Sequence, residues 1–171
     1  MALAVVGGGR RSGKSKYALA LASAQGPRLG FIATLQPTDE ESEQKIDRAR
    51  RERGAEFVTV EEPLAVADLI EQRGSYFDAV VVDDLTIWVS NMVMAGRGDE
   101  EIEAEATRLL EAAAASTAEV IVVTSDVDFG FPVDAEISRG FRRLAGLVNR
   151  QMAEAASRLY WMVFGVPKRI R

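Results

Sequence analysis

Short apolar runs alternate with amphipathic stretches along the chain, which indicates a fold of alternating strands and helices. Five runs of four to eight mostly apolar residues predict buried strands at 3–6, 28–34, 56–60, 77–84 and 119–124. Between them the pattern predicts helices from near Gly13 to 22, from the acidic stretch 36–41 to about Arg53, from Pro63 to Ile70, at 85–94, from 99 to 115, and at 134–157.

The last predicted helix carries apolar side chains at steps of three and four residues: Ile137, Phe141, Leu144, Val148, Met152 and Ala155. Such a stripe packs against a core or another subunit. Two closing strands are predicted at 159–164 and 166–170. No linker, repeat or low-complexity tract interrupts the pattern. We therefore expect one α/β domain over residues 1–171, with a largely parallel sheet flanked by helices.

A glycine-rich loop follows the first predicted strand and reads G-x-x-x-x-G-K-S, the phosphate-binding P-loop pattern. Glycines let such a loop turn its backbone N–H groups toward phosphates, and the following helix adds its positive dipole end. The pattern predicts a P-loop NTPase-like fold that binds ATP or GTP. The candidate nucleotide-binding residues are Gly8, Gly9, Arg10, Arg11, Ser12, Gly13, Lys14, Ser15 and Lys16.

An aspartate at the end of the fourth predicted strand gives a candidate metal ligand. Parallel strands bind ligands beyond their carboxyl ends, so Asp83 is expected to lie opposite Ser15 and hold Mg²⁺ with it. Lys14, which would reach the β- and γ-phosphates, and Asp83 are the candidate catalytic residues. Arg10 or Arg11 either adds transition-state charge or is solvated.

Composition narrows the classes of function. The net charge of −5 argues against broad binding to nucleic acid or anionic membrane. There is neither cysteine nor histidine, which excludes disulfides, thiolate metal sites and phosphohistidine chemistry. No apolar run is long enough to span a bilayer, and no export signal is expected at the N-terminus. These features predict a cytoplasmic protein.

Two further charged stretches remain open to two interpretations. The basic helix segment 45–53 is either a solvated face with internal ion pairs or an arm that faces phosphates. Asp126 and Asp128, after the 119–124 strand, either touch a ligand or cap and polarise their loop.

Four stretches together resemble the adenosylcobinamide kinase / adenosylcobinamide-phosphate guanylyltransferases of cobalamin biosynthesis. The P-loop is generic, whereas F-I-A-T at 31–34, L-T-I-W-V-S-N at 85–91 and F-R-R-L-A-G-L-V-N at 141–149 are much more specific. The resemblance covers nearly the whole chain. It implies phosphorylation of adenosylcobinamide, GMP transfer through a guanylylated histidine, and a homotrimer with its site near a subunit boundary. A tentative second site comprises Thr34, Arg48, Ala49, Arg50, Asp84 and Asp126.

The chain departs from the family at the residues of the second reaction. Ala49 occupies the position of the family's histidine, and 125–128 and 132–135 differ from the family's N-E-V-G and V-P-E-N. A histidine-linked GMP needs an imidazole, so we expect kinase chemistry without a covalent GMP adduct. Lys45 is the only lysine near that helix, and it would have to act from a full turn away. Two other functions fit the P-loop: a kinase for another small alcohol or nucleoside, and a non-catalytic nucleotide-dependent binding protein.

Overall fold

Seven strands form one sheet in the order β3-β2-β4-β5-β1-β6-β7 in a computed structural model of the protein. The structure describes residues 2–37, 40–126 and 136–171. For residues 40–42, 45, 46, 52 and 136–138 it describes the backbone alone. The strands are β1 (Leu3–Gly8), β2 (Leu29–Ala33), β3 (Phe57–Glu61), β4 (Ala79–Asp83), β5 (Glu119–Val123), β6 (Arg158–Val163) and β7 (Val166–Arg169). The predictions for Asp128 and 132–135 lie outside the described residues.

Six α-helices connect the strands: α1 (Lys14–Ser23), α2 (Glu40–Arg53), α3 (Val66–Arg73), α4 (Leu85–Met94), α5 (Asp99–Ala115) and α6 (Glu136–Ala155). A short 3₁₀ turn, Gly74–Tyr76, follows α3. All strand pairs are parallel except β6 with β7. The predicted α/β class with a largely parallel sheet is therefore confirmed.

Alternating side chains of the strands supply two apolar layers, one on each face of the sheet. Leu3 and Val5 of β1 point toward the larger layer, which α3, α4, α5 and α6 cover. Ala4 and Val6 point the other way, toward α1. Because β1, β4 and β5 are buried on both faces, their sequences are continuous apolar runs rather than alternating ones. The C-terminal stripe is core, with Leu144, Val148 and Met152 buried.

The third helix begins later than predicted. Pro63 precedes it, and α3 starts at Val66. The Glu62 carboxylate accepts hydrogen bonds from the backbone N–H groups of Leu64 (3.0 Å) and Ala65 (2.8 Å). This local turn satisfies the N–H groups that a helix starting at Pro63 would have left exposed, and so moves the helix start toward the C-terminus.

The two closing strands form a hairpin with a two-residue turn. Phe164 (φ 49°) and Gly165 (φ 83°) both have left-handed backbone conformations, which suits the twist of an antiparallel pair. The predicted strand ending at 164 therefore stops at Val163.

No helix in the described parts of the chain combines the length and the apolar character that crossing a bilayer requires.

One feature of the strand order positions the candidate site. β5 lies between β1, which leads into the glycine loop, and β4, which ends at Asp83. The carboxyl ends of all three strands meet at the same edge of the sheet because they are parallel. The residues after β5 therefore lie between the glycine loop and the pair Asp83 and Asp84 at the end of β4.

Candidate nucleotide-binding site

The glycine loop runs from the end of β1 into α1. Gly13 has φ 93° and is the N-cap of α1, so the helix begins at Lys14. A Cβ at Gly8 would come within 2.9 Å of Ser12 Oγ and 3.0 Å of the Met162 carbonyl oxygen. Both positions require glycine, one for its left-handed backbone and the other for close packing against β6.

The loop lysine is held by the loop itself. The Lys14 Nζ donates a hydrogen bond of 2.8 Å to the Gly9 carbonyl oxygen, and the side chain is buried. Burial lowers the pKa of Lys14, while the charges of Asp84 and Asp83 oppose that shift. Ser12 Oγ is buried and has no hydrogen-bond partner. A buried hydroxyl without an acceptor, in the same loop as a buried ammonium group, fits an anionic phosphate ligand.

Asp83, at the end of β4, and Ser15, in the first turn of α1, lie close together. The Ser15 hydroxyl donates a hydrogen bond to the Asp83 carboxylate. Burial raises the pKa of Asp83, and this hydrogen bond and the charges of Lys14 and Arg53 act in the opposite direction. A carboxylate and a hydroxyl are hard oxygen donors, so their chemistry fits Mg²⁺.

Asp84 is a helix cap as well as a neighbour of the site. Its carboxylate accepts hydrogen bonds from the Ile87 backbone N–H (2.8 Å) and the Ser125 hydroxyl (3.1 Å). Burial, together with the negative charge of Asp83, raises the pKa of Asp84 to about 6. Because its carboxylate already caps α4, Asp84 fixes the helix that follows the site.

Thr34 forms hydrogen bonds to the backbone of Asp83 and Asp84, and we call this arrangement the clamp. Its side chain is fully buried, with its hydroxyl donating to the Asp84 carbonyl oxygen (2.8 Å) and accepting from the Asp84 N–H (2.9 Å). Its own N–H donates to the Asp83 carbonyl oxygen at 3.1 Å. This tentative second-site residue therefore joins the ends of β2 and β4.

Helix α4 ties the surrounding loops together through its polar side chains. Trp88 Nε1 donates to the Leu64 carbonyl oxygen (2.8 Å). Asn91 Nδ2 donates to the carbonyl oxygens of Thr34 (2.8 Å) and Pro63 (3.1 Å). The L-T-I-W-V-S-N stretch thus satisfies backbone carbonyls of the segments that follow β2 and β3.

The segment after β5 connects the glycine loop to α4 and α6. The Asp126 N–H donates to the Gly8 carbonyl oxygen (3.2 Å), and the Ser125 N–H donates to the Thr86 hydroxyl (3.0 Å). Asn149 Nδ2, from the F-R-R-L-A-G-L-V-N stretch, donates to the Ser125 carbonyl oxygen (3.3 Å). Asp126 is therefore placed beside the glycine loop, as a site residue would be.

Two neighbouring cavities open beside Asp83. One, of about 380 Å³, is lined by Ser15, Lys16, Leu19, Phe31, Ala49, Arg53 and Asp83. The other, of about 240 Å³, is lined by Phe31, Ala33, Leu35, Ala49, Arg53, Asp83, Asp84 and Ile87. Ala49 contributes to both walls, so the position that the family resemblance gives to histidine faces the same space as Ser15 and Asp83.

The other basic candidates lie elsewhere. Arg48 and Arg50 are exposed, and Arg50 forms an ion pair with Glu61. Arg10 and Arg11 are exposed at the loop. Neither Arg48 nor Arg50 lines the two cavities described above.

Neither Arg53 nor Phe31 was among the candidate site residues, although Arg53 belongs to the basic segment 45–53 for which a phosphate-facing role was left open. Arg53 follows Ala49 by four residues on α2, and residues four apart share a helix face. That spacing was the available signal.

A separate groove of about 520 Å³ lies on the α6 face of the sheet. Gly146, Asn149 and Ala153 of α6 line the groove, together with Leu159 and Trp161 of β6 and Ile170, which follows β7. Ser125 and Asp126 line the groove at the carboxyl edge of the sheet. The groove therefore reaches the same edge as the glycine loop.

Comparison with known proteins gives one consistent result. Residues 4–170 match the sequence model of the family described as cobinamide kinase / cobinamide phosphate guanyltransferase. The bifunctional adenosylcobalamin biosynthesis protein CobP of Pseudomonas aeruginosa is 32% identical over 160 residues, covering 94% of this chain and 92% of that protein. The bifunctional adenosylcobalamin biosynthesis protein CobU of Escherichia coli is 32% identical over 179 residues, covering 98% of both.

Among solved structures, the RadB recombinase superposes with a TM-score of 0.54 at 17% identity, over 94% of this chain and 73% of that one. At this identity the similarity concerns the fold alone. It agrees with the P-loop NTPase-like fold predicted from the glycine loop.

We expect Thr34→Val to destabilise the fold by about 1–3 kcal/mol, because it leaves the buried N–H and carbonyl of Asp84 without the hydroxyl. Thr107→Val is the matched control, since the Thr107 hydroxyl is exposed and bonds only its own helix, at the Glu103 carbonyl. Urea unfolding of the three proteins measures the difference. Equal free energies of unfolding for the two variants would contradict the clamp.

Proposed function

The chain belongs to the cobinamide kinase / cobinamide phosphate guanyltransferase family, and from this we propose that it phosphorylates adenosylcobinamide but forms no covalent GMP adduct. The enzyme is a P-loop phosphotransferase. The proposal rests on one observation: the lysine, serine and aspartate of a kinase site meet beside a cavity whose wall carries Ala49 instead of an imidazole.

The chain's own residues suit phosphoryl transfer, which depends on positioning and charge neutralisation. Lys14 can leave the Gly9 carbonyl for phosphate oxygens, because a charged acceptor is a stronger partner than a carbonyl. The backbone N–H groups at the start of α1 would surround the β-phosphate. Ser15 and Asp83 would hold Mg²⁺, which when bound neutralises charge on the phosphates.

The guanylyl step lacks its nucleophile. No histidine or cysteine occurs anywhere in the chain, so no change of register can supply one. At Ala49 the side chain is a methyl group, which has no lone pair for attack on an α-phosphate. Lys45 lies one helical turn before Ala49, and a lysine nucleophile would also need a strongly lowered pKa.

Subunit assembly and location are also proposals. The family resemblance implies a homotrimer with the site near a subunit boundary, and the cytoplasmic location is the one expected from the sequence composition. The hairpin carries exposed apolar side chains, Phe164, Val166 and Ile170, which a second subunit could cover.

We predict that Asp83→Asn lowers Mg²⁺-dependent turnover of nucleoside triphosphate by roughly 100-fold or more, while Mg²⁺-free nucleotide affinity changes by less than about 3-fold. The reason is that the proposed role of the carboxylate lies with the metal rather than with the phosphates. Lys14→Ala is the companion variant and should lose turnover without unfolding. Steady-state turnover and equilibrium binding with and without Mg²⁺ measure the two effects. If Asp83→Asn loses both equally, Asp83 is structural.

We predict that the protein gains no GMP when incubated with GTP and Mg²⁺, whereas Ala49→His acquires one GMP per chain. Intact-mass spectrometry measures the adduct directly. Arg51→His is the matched control, because it places an imidazole on the exposed side of the same helix and should gain none. A stoichiometric GMP increment on the unmutated protein would overturn the proposal that guanylyl transfer is lost.

A further inference from the structure

Arg53 is a buried cation at the end of α2. Its side chain is 8% exposed, although α2 is otherwise the most polar helix of the chain and its arginines at 48, 50 and 51 are exposed. Moving an arginine out of water is costly unless other groups replace its hydration. The surroundings of this guanidinium group therefore indicate what it is for.

Two neighbours hold the guanidinium group in place without neutralising it. Its central carbon lies 3.3 Å from the centroid of the Phe31 ring, so the group stacks on the aromatic face. Its Nη1 donates a hydrogen bond of 2.7 Å to the Thr59 hydroxyl. Phe31 lies on β2 and Thr59 on β3, so the sheet fixes the position of the guanidinium group before any ligand binds.

No carboxylate among the described residues lies within ion-pair distance of Arg53. Six other arginines do have such a partner: Arg28 with Asp78, Arg50 with Glu61, Arg97 with Glu105, Arg108 with Asp68, Arg143 with Asp99, and Arg158 with Glu119. All six are more exposed than Arg53. The most buried of these cations is thus the one without an ion pair, the reverse of what stability alone would favour.

Arg53 borders both cavities beside Asp83. In the larger one it shares the lining with Ser15 and Lys16, at the start of α1. Ala49, one helical turn earlier on α2, leaves the space between these walls open. A ligand held by the glycine loop therefore has a second, preformed cation available from α2.

We propose that Arg53 binds a phosphoryl group in this cavity, from the α2 side, while the glycine loop binds from the α1 side. The ligand is a phosphate monoester or anhydride end bearing two or more free oxygens. An arginine fork matches such oxygens with two parallel hydrogen bonds, and stacking on Phe31 leaves the edge of the fork available. Two sources supply that chemistry: the terminal phosphate of the nucleotide and the phosphate of the phosphorylated corrinoid.

The second source rests on the proposed kinase function, whereas the first requires only nucleotide binding. Arg53 is buried and lines both cavities, whereas Arg48 and Arg50 are exposed and line neither. The phosphate-facing role considered for the whole basic segment is thereby assigned to one residue.

The test compares Arg53→Met and Arg53→Lys with Arg51→Met, which removes an exposed arginine two residues earlier on the same helix. Binding of ATP, ADP and adenosylcobinamide phosphate to each protein is measured by calorimetry with Mg²⁺, and stability by urea unfolding. We expect Arg53→Met to weaken ATP or adenosylcobinamide phosphate by about 10-fold or more, with ADP changed by less than about 2-fold. Arg53→Lys should fall between, and Arg51→Met should match the unmutated protein.

The three ligands distinguish the two possible sources of the phosphate. Selective loss of ATP affinity identifies the terminal phosphate as the ligand, and selective loss of the phosphorylated corrinoid identifies the product phosphate. Unchanged affinity for both in Arg53→Met, or equal losses for ATP, ADP and corrinoid alongside a lower free energy of unfolding, would overturn the proposal. If no corrinoid binds to the unmutated protein, the kinase proposal fails, while the ATP and ADP comparison still decides the role of Arg53.

Discussion

Four charged side chains gather at the carboxyl edge of the sheet, and the site depends on keeping all four there. Lys14 and Arg53 are buried, and burial lowers the pKa of both. Asp83 ends β4 and Asp84 follows it directly, and burial raises the pKa of both. Two cations and two carboxylates offset one another's charge, which makes their shared burial tolerable and leaves an edge that gains from a phosphate and a metal ion.

The neutral residues around this edge hold the charged ones in place. Thr34 fixes the backbone of Asp84, and Asn91 in turn bonds the Thr34 carbonyl. Ser125 bonds the Asp84 carboxylate from the end of β5, the strand between the glycine loop and β4. The stretches that carry the family resemblance are therefore largely hydrogen-bonding positions that hold loops, rather than groups that react.

The sequence predicted the elements better than their arrangement. The apolar runs and the glycine loop identified the strands and α4 at 85–94, because each depends on local pattern. The proximity of Ser15 and Asp83 was expected instead from the rule that parallel strands place their carboxyl ends at one edge of the sheet. The insertion of β5 between β1 and β4 depends on long-range pairing, which periodicity does not encode. The basic segment 45–53 stayed open to two interpretations, because the tertiary packing of Arg53 on Phe31, which singles out one of its residues, is not encoded in the helix pattern.

The proposed reaction transfers one phosphate to adenosylcobinamide and stops there. The most direct measurement is mass spectrometry of the corrinoid after complete reaction with excess GTP and Mg²⁺, alongside the same reaction with ATP. We expect a corrinoid that carries one added phosphate, with no corrinoid carrying GDP. A corrinoid–GDP product formed by the unmutated protein would contradict the claim, as would an unmodified corrinoid with both nucleotides.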